Sequence, residues 1–258
     1  MFTFCIRKFV LGFCIVNTLV LFQTSVAAST QDTHTPSKSL KVHLKKDNLL
    51  SIINPKNKKS DEAKAALKVY YDKAIPFAQS YGYKNVGALT VAETLVGEDQ
   101  PGTFVLAKWP SEEADVAFES HPDWQQYKIM RPIIWEELNF YKAPVSEETT
   151  LHFFENKFYT IAFAWLDQAH PKDYQKYMKG IAPSVEAVGG RFIHTMKNPR
   201  YVSHTDQQPG PDQITFVEWD SLKAFDKFGT SEGFKQHAKY LNSGTSQFKL
   251  YQIKPIIR

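Results

Sequence analysis

Two stretches of the chain, Thr103 to Trp109 (TFVLAKW) and Ile214 to Trp219 (ITFVEW), alternate along a two-residue period yet are apolar on both sides. In the first, Val105, Ala107 and Trp109 face one way and Phe104, Leu106 and Lys108 the other. In the second the sets are Thr215, Val217, Trp219 and Ile214, Phe216, Glu218. A strand written this way is covered on both faces. Around the second stretch the pattern predicts a strand over Phe158–Leu166, a helix over PKDYQKYMKGIAPSVEAVGG stopped by paired glycines, and a strand in RFIHTM. A loop or ragged hairpin through KNPRYVSHTDQQPGPDQ leads into ITFVEW, then come a helix with a glycine interruption and a closing strand in SQFKLYQIKP. The order is β-α-β-β-α-β, the split βαβ or ferredoxin-like arrangement.

The first stretch sits in the same order of elements. NLLSIINP is the leading strand, and SDEAKAALKVYYDKAIPFAQSYG is a helix capped by Ser60 or Asp61, with Ala63, Ala66, Leu67, Tyr70, Ala74 and Phe77 on one side. LKVHL adds an edge strand. At a constant offset of 110, Trp109 falls on Trp219, Ser111 on Ser221, Phe118 on Phe228, Trp124 on Phe234, Gln126 on Gln236 and Tyr141 on Tyr251. A repeat this long means duplicated domains, because solenoid periods run from about 20 to 50 residues. A four-stranded sheet with helices on one face leaves the other bare, and two copies in one chain cover each other. The expected fold class is therefore α+β: tandem ferredoxin-like domains over residues 40–146 and 150–258, packed sheet to sheet as an internal pseudo-dimeric α/β barrel, with further oligomerisation left open.

The N-terminus changes the picture of location. Arg7 and Lys8 precede an apolar run from Phe9 to Phe22, and small residues Ser25, Ala27 and Ala28 follow. These are the parts of a secretory signal peptide over residues 1–28, cleaved after Ala27 or Ala28, with a flexible leader over 29–39. The expected product is exported, periplasmic or secreted, with no stable membrane span. Both cysteines, Cys5 and Cys14, leave with the signal, so neither disulfides nor thiolate-bound metal can hold the remainder. Cleavage also removes two of the 31 basic residues and none of the 27 acidic ones. The rest is close to neutral and has no basic stripe for nucleic acid.

A strand ending in Lys108-Trp109-Pro110-Ser111, repeated as Glu218-Trp219-Asp220-Ser221, followed by a helix with a recurring aromatic and Gln, resembles the dimeric α/β-barrel superfamily. Within it the pattern is most similar to the branch called DUF1330, a domain of unknown function, here in two copies. Arg131 stands where that branch tends to carry an arginine, and Leu241 stands there in the second copy. Each copy has kept something the other lost, which favours one asymmetric site or none. The resemblance implies a small apolar or aromatic ligand, bound or transformed without a cofactor, by oxygenase or isomerase-like chemistry. It also brings in a weaker haem reading by analogy with chlorite dismutase-like proteins, although no motif around an axial histidine supports it.

No nucleotide, nucleophile-elbow or zinc-protease motif occurs, and the eight histidines show no metal-ligand spacing. His194 and Glu218 are the candidate proton acceptors. Strand alternation puts His194 on one face with Phe192 and Met196, where an imidazole acts as a base, a haem ligand or a plain core residue. A buried Glu218 would have a raised pKa suited to proton transfer, whereas at a strand end it simply pairs with a cation. Trp109, Trp165, Trp219 and Tyr251 are candidate walls of a flat apolar pocket, and Arg131 a candidate holder of a ligand carboxylate. The competing account is a silent scaffold whose pocket is filled by its own side chains.

Overall fold

The computed structural model describes residues 37–205 and 208–257, so the expected signal peptide and nearly all of the expected leader lie outside the described residues. The first half runs β1 (Ser39–Leu44), β2 (Leu49–Asn57), α1 (Asp61–Val69), a π-helical turn (Tyr70–Ala74), α2 (Ile75–Ser80), β3 (Lys84–Val96) and β4 (Thr103–Trp109). It continues with α3 (Glu112–Ser120), α4 (Pro122–Lys128), α5 (Arg131–Ile134) and β5 (Trp135–Pro144). After β6 (Thr149–Phe154), the second half runs β7 (Phe158–Leu166), α6 (Asp173–Ala187), β8 (Gly190–Lys197), β9 (Arg200–Ser203), β10 (Gln213–Trp219), α7 (Leu222–Thr230), α8 (Glu232–Gly244) and β11 (Thr245–Pro255).

Local chemistry sets these boundaries. The Ser60 hydroxyl accepts from the Ala63 N–H at 3.2 Å and opens α1. Ser111 and Ser221 do the same for α3 and α7, each at 3.3 Å. The repeated serine two residues beyond each strand-end tryptophan is thus an N-cap, which accounts for its recurrence without a catalytic role.

Nine strands among the described residues form one sheet in the order β8-β10-β7-β11-β3-β4-β2-β5-β9. Both halves contain the ferredoxin order, and their edges are hydrogen-bonded: β11 pairs with β3, and β5 with β9. Strands β8 and β9 are one run interrupted only by Asn198, at φ 46°, and Pro199, whereas its counterpart β3 is continuous. The ribbon therefore closes on itself as a barrel, and edge-to-edge pairing is how the two sheets come to share an interior.

That interior is one apolar core drawn from both halves, including Ile52, Phe104, Leu106, Ile161, Phe163, Phe216, Tyr141 and Tyr251. Two further cores lie outside the barrel wall under the helices: Trp219, Phe228, Tyr177 and Ile181 in the second half, and Trp109, Phe118, Trp124 and Trp135 in the first. The alternation read for β4 and β10 holds, with Phe104, Leu106, Ile214 and Phe216 inside and Trp109, Val217 and Trp219 under the helices.

Two expectations need correction. LKVHL does not extend the main sheet: β1 pairs with β6, a strand not anticipated, as a separate two-stranded ribbon. Its Val42, Leu44, Leu151 and Phe153 join the barrel core, so the apolar alternation of LKVHL serves to cover that core. The face assigned to His194 is also different. A β-bulge shifts the register so that His194 opposes Phe216 while Phe192 opposes Val217. Phe192 consequently packs with the helix-side core, and Ile193 and Met196 with the barrel core, because an extra residue inverts the two-residue alternation.

Candidate functional site

Between the first half's sheet and its helices lies a cavity of about 190 Å³. Its floor comes from alternate residues of adjacent strands: Ser51 and Ile53 of β2, Val105 and Trp109 of β4, and Leu138, Phe140 and Lys142 of β5. Its roof is built from Tyr70, Tyr71 and Ala74 of the π-helical turn, Ile75 and Ala78 of α2, and Phe118, Glu119, Trp124 and Arg131. The π-helical turn and the break between α4 and α5 both fall at this roof. Such single wide turns inside helices recur at functional sites. The short Arg131–Ile134 helix begins next to Pro132, which cannot continue a regular helix from α4. The aligned α8 runs unbroken from Glu232 to Gly244.

Against this aromatic lining stands a buried charge network. Lys142 Nζ lies 2.6 Å from Asp115 Oδ1 and 3.5 Å from Glu119 Oε1, with the Lys142 and Asp115 side chains almost wholly covered. Arg200, from β9, hydrogen-bonds the other oxygen of Asp115 and so ties the second half to this site. Trp124 Nε1–H donates to Glu119 Oε2 at 3.1 Å, and Lys128 approaches the same oxygen at 3.6 Å. Burial alone would raise the Glu119 pKa, but Lys142 and Arg131 outweigh it and hold the carboxyl below its usual range. Burial pushes the Tyr70 phenol up, and the neighbouring Arg131 guanidinium works against that rise.

Arg131 is 5 % exposed. Its guanidinium lies over Trp124 at 5.1 Å and Phe140 at 4.9 Å, and its nearest carboxylate, Glu119 Oε1, is 3.9 Å away. Its Nε is buried and donates to no acceptor among the described residues. A covered cation that rests on aromatic faces and leaves a donor unused is costly unless something else takes that hydrogen bond.

The second half repeats the frame without the charges. The strand registers of the two halves correspond: Ile52 lies between Leu106 and Tyr141, and Ile161 between Phe216 and Tyr251. At that offset Asp115, Glu119, Arg131 and Lys142 become Phe225, Gly229, Leu241 and Gln252. Phe225 packs on Trp219 at 5.3 Å and on Phe158 at 5.4 Å. Helices α6 and α8 meet on glycines: a Cβ on Gly180 would overlap the His237 ring, and one on Gly244 the backbone of Tyr174. The residue aligned with Gly244 is Ile134 of α5, buried in the first half's helix-side core.

Of the residues proposed from sequence, Trp109 and Arg131 line the cavity, and the rest do not. Trp219 is core in the second half, its Nε1–H donating to Thr160 Oγ1 at 3.0 Å. Trp165 donates to the Pro209 carbonyl at 2.8 Å. Tyr251 donates to Asp99 Oδ2 at 2.8 Å from within the barrel core. Glu218 accepts from the Tyr159 hydroxyl at 2.8 Å and from Arg191 at 3.0 Å. The Tyr159 oxygen in turn accepts from the Phe154 N–H at 2.7 Å, so Glu218 anchors the β1–β6 ribbon. His194 opposes Phe216 in the barrel, and burial pushes its pKa down. It lies in the second half, on the barrel side of the wall, and does not line the cavity. Asp115, Glu119, Lys142, Tyr70 and Trp135 were missed, although the charges at 115, 119 and 142 facing Phe225, Gly229 and Gln252 in the repeat were available as a signal.

Residues 157–254 match the profile of DUF1330, a domain of unknown function. No curated protein matches the chain. Among solved structures, an anthrone oxidase-like protein superposes with a TM-score of 0.52 at 12 % identity, covering 84 % of this chain and 94 % of that one. Chlorite dismutase from Candidatus Nitrospira defluvii gives 0.44 at 8 % identity over 82 % and 93 % of the two chains. A protein of unknown function from Rhodopseudomonas palustris gives 0.36 at 16 % identity over 40 % and 85 %. The family match and the first superposition fit the dimeric α/β-barrel superfamily. Among the described residues, no helix is long and apolar enough to cross a membrane, and no group of histidine, cysteine, aspartate and glutamate is arranged to hold a metal ion.

Proposed function

We propose that this chain is an exported, internally duplicated α/β barrel that binds one small, flat, apolar or aromatic molecule in its first half, without a cofactor. The observation that carries this reading is the cavity itself, walled by Trp109, Phe118, Trp124, Trp135 and Phe140 and present beside a set of charges that the second half has replaced. Its volume of about 190 Å³ is below the roughly 300 Å³ at which pockets for drug-sized ligands begin, so the ligand has one or two rings. A fold shared with an anthrone oxidase-like protein is in keeping with such a ligand and leaves open whether it is transformed.

Three of the five tryptophans, Trp109, Trp124 and Trp135, line the cavity and supply the test. Titration with naphthalene is expected to quench intrinsic fluorescence saturably, and Ala78→Phe, which places a ring in the cavity, is expected to abolish the quenching while leaving the far-ultraviolet circular dichroism intact. Quenching that survives Ala78→Phe would move the ligand elsewhere.

A further inference from the structure

We infer that the ligand of this cavity is an anion, a small aromatic or apolar acid whose oxygen pairs with Arg131; the inference rests on the reading just given. Three observations converge on it. The Arg131 guanidinium is nine-tenths buried, lines the cavity and has an Nε with no acceptor. Its guanidinium lies over the faces of Trp124 and Phe140, which stabilise a cation but accept none of its directional hydrogen bonds, and beside the Tyr70 hydroxyl, which leaves the Nε unserved.

The third observation is the balance of charge. The network holds Arg131, Lys142, Lys128 and Arg200 against Asp115, Glu119 and Glu112. Asp115 is already engaged by Lys142 and Arg200, and Glu119 is shared among Trp124, Lys128, Lys142 and Arg131. Four cations thus face three carboxylates; Arg131 and Arg200 each keep a buried Nε without an acceptor, and of the two it is Arg131 that lines the cavity. The planar fork of a guanidinium fits a carboxylate with two parallel hydrogen bonds, which a neutral alcohol cannot reproduce. At the aligned position of the second half the cation is replaced by Leu241, which is buried in the helix-side core.

The experiment compares 2-naphthoate with its neutral counterpart 2-naphthylmethanol by tryptophan quenching on the intact protein, Arg131→Leu and Arg131→Lys, each checked for an unchanged circular dichroism spectrum. Naphthoate is expected to bind the wild-type protein at least about tenfold more tightly than the alcohol. That preference is expected to vanish in Arg131→Leu and to shrink in Arg131→Lys, which keeps the charge and loses the fork. Equal affinities for acid and alcohol in the wild-type protein would overturn the inference and leave the apolar site standing. Saturable binding of neither would overturn both. Should Arg131→Leu fail to fold, the wild-type ratio and Arg131→Lys decide the matter alone.

Discussion

Lys142 Nζ sits 2.6 Å from Asp115 Oδ1 with both side chains buried, and 110 residues further on the same two positions hold Gln252 and Phe225. One frame thus carries two solutions: an ion pair beside a cavity, and a packed aromatic. Removing one member of a buried pair strands the other. Asp115→Asn is therefore expected to destabilise the protein by about 3–5 kcal/mol in denaturant unfolding, since Lys142 and Arg200 both lose their nearest carboxylate and keep only the more distant Glu119 and Glu112. Adding Lys142→Gln, which writes the second half's residue into the first, is expected to recover part of that loss. A single variant as stable as the wild type would show that the pair is not needed to hold the site.

Glu218 and Tyr159 make a different prediction. Their hydrogen bond of 2.8 Å, continued to the Phe154 N–H, fixes the β1–β6 ribbon at the barrel end, far from the cavity lining. Tyr159→Phe is expected to cost about 1–3 kcal/mol of stability and to leave naphthoate affinity unchanged. A large drop in affinity with stability preserved would return Glu218 to the list of functional residues.

Acid should weaken the fold in two stages. His194 has a folded pKa below its ordinary value because it is buried, so the unfolded chain takes up a proton that the folded chain refuses. Its contribution is present above about pH 6.5 and is lost as pH falls from there through the folded pKa. Glu119 is depressed as well, so its contribution is present above about pH 4.3 and lost as pH falls through its lower folded value. His194→Gln is expected to flatten the melting temperature between pH 7 and pH 5 and to leave the steeper fall near pH 4. An unchanged slope between pH 7 and pH 5 in that variant would contradict the assignment.

The fold was largely legible because its signals are local. Both-faced apolar alternation in β4 and β10, serine caps before α1, α3 and α7, and the 110-residue register give the element order and the shared interior. The β1–β6 ribbon was not legible, since its pairing joins Ser39–Leu44 to Thr149–Phe154 across the whole first half, and no local pattern specifies a partner that distant. The bulge at Ile193 was hidden for a related reason: one extra residue reverses the inside and outside of every position beyond it. Of the site, Trp109 and Arg131 were visible as residues. The cavity was not, because its roof is a π-helical turn and a broken α4–α5 segment, features no local pattern announces, whereas in the other half α6 and α8 meet closely at Gly180 and Gly244. Aromatic residues alone mark both outcomes equally, as Trp109 and Trp219 show.

The most direct test is the number and place of ligands per chain, read by native mass spectrometry with 2-naphthoate and by a co-crystal structure of the same complex. One ligand per chain, seated under the first half's helices with its carboxylate on Arg131 and absent from the Ala78→Phe variant, is the expected result. Two ligands per chain, or one bound under α6 and α8, would contradict the asymmetric site.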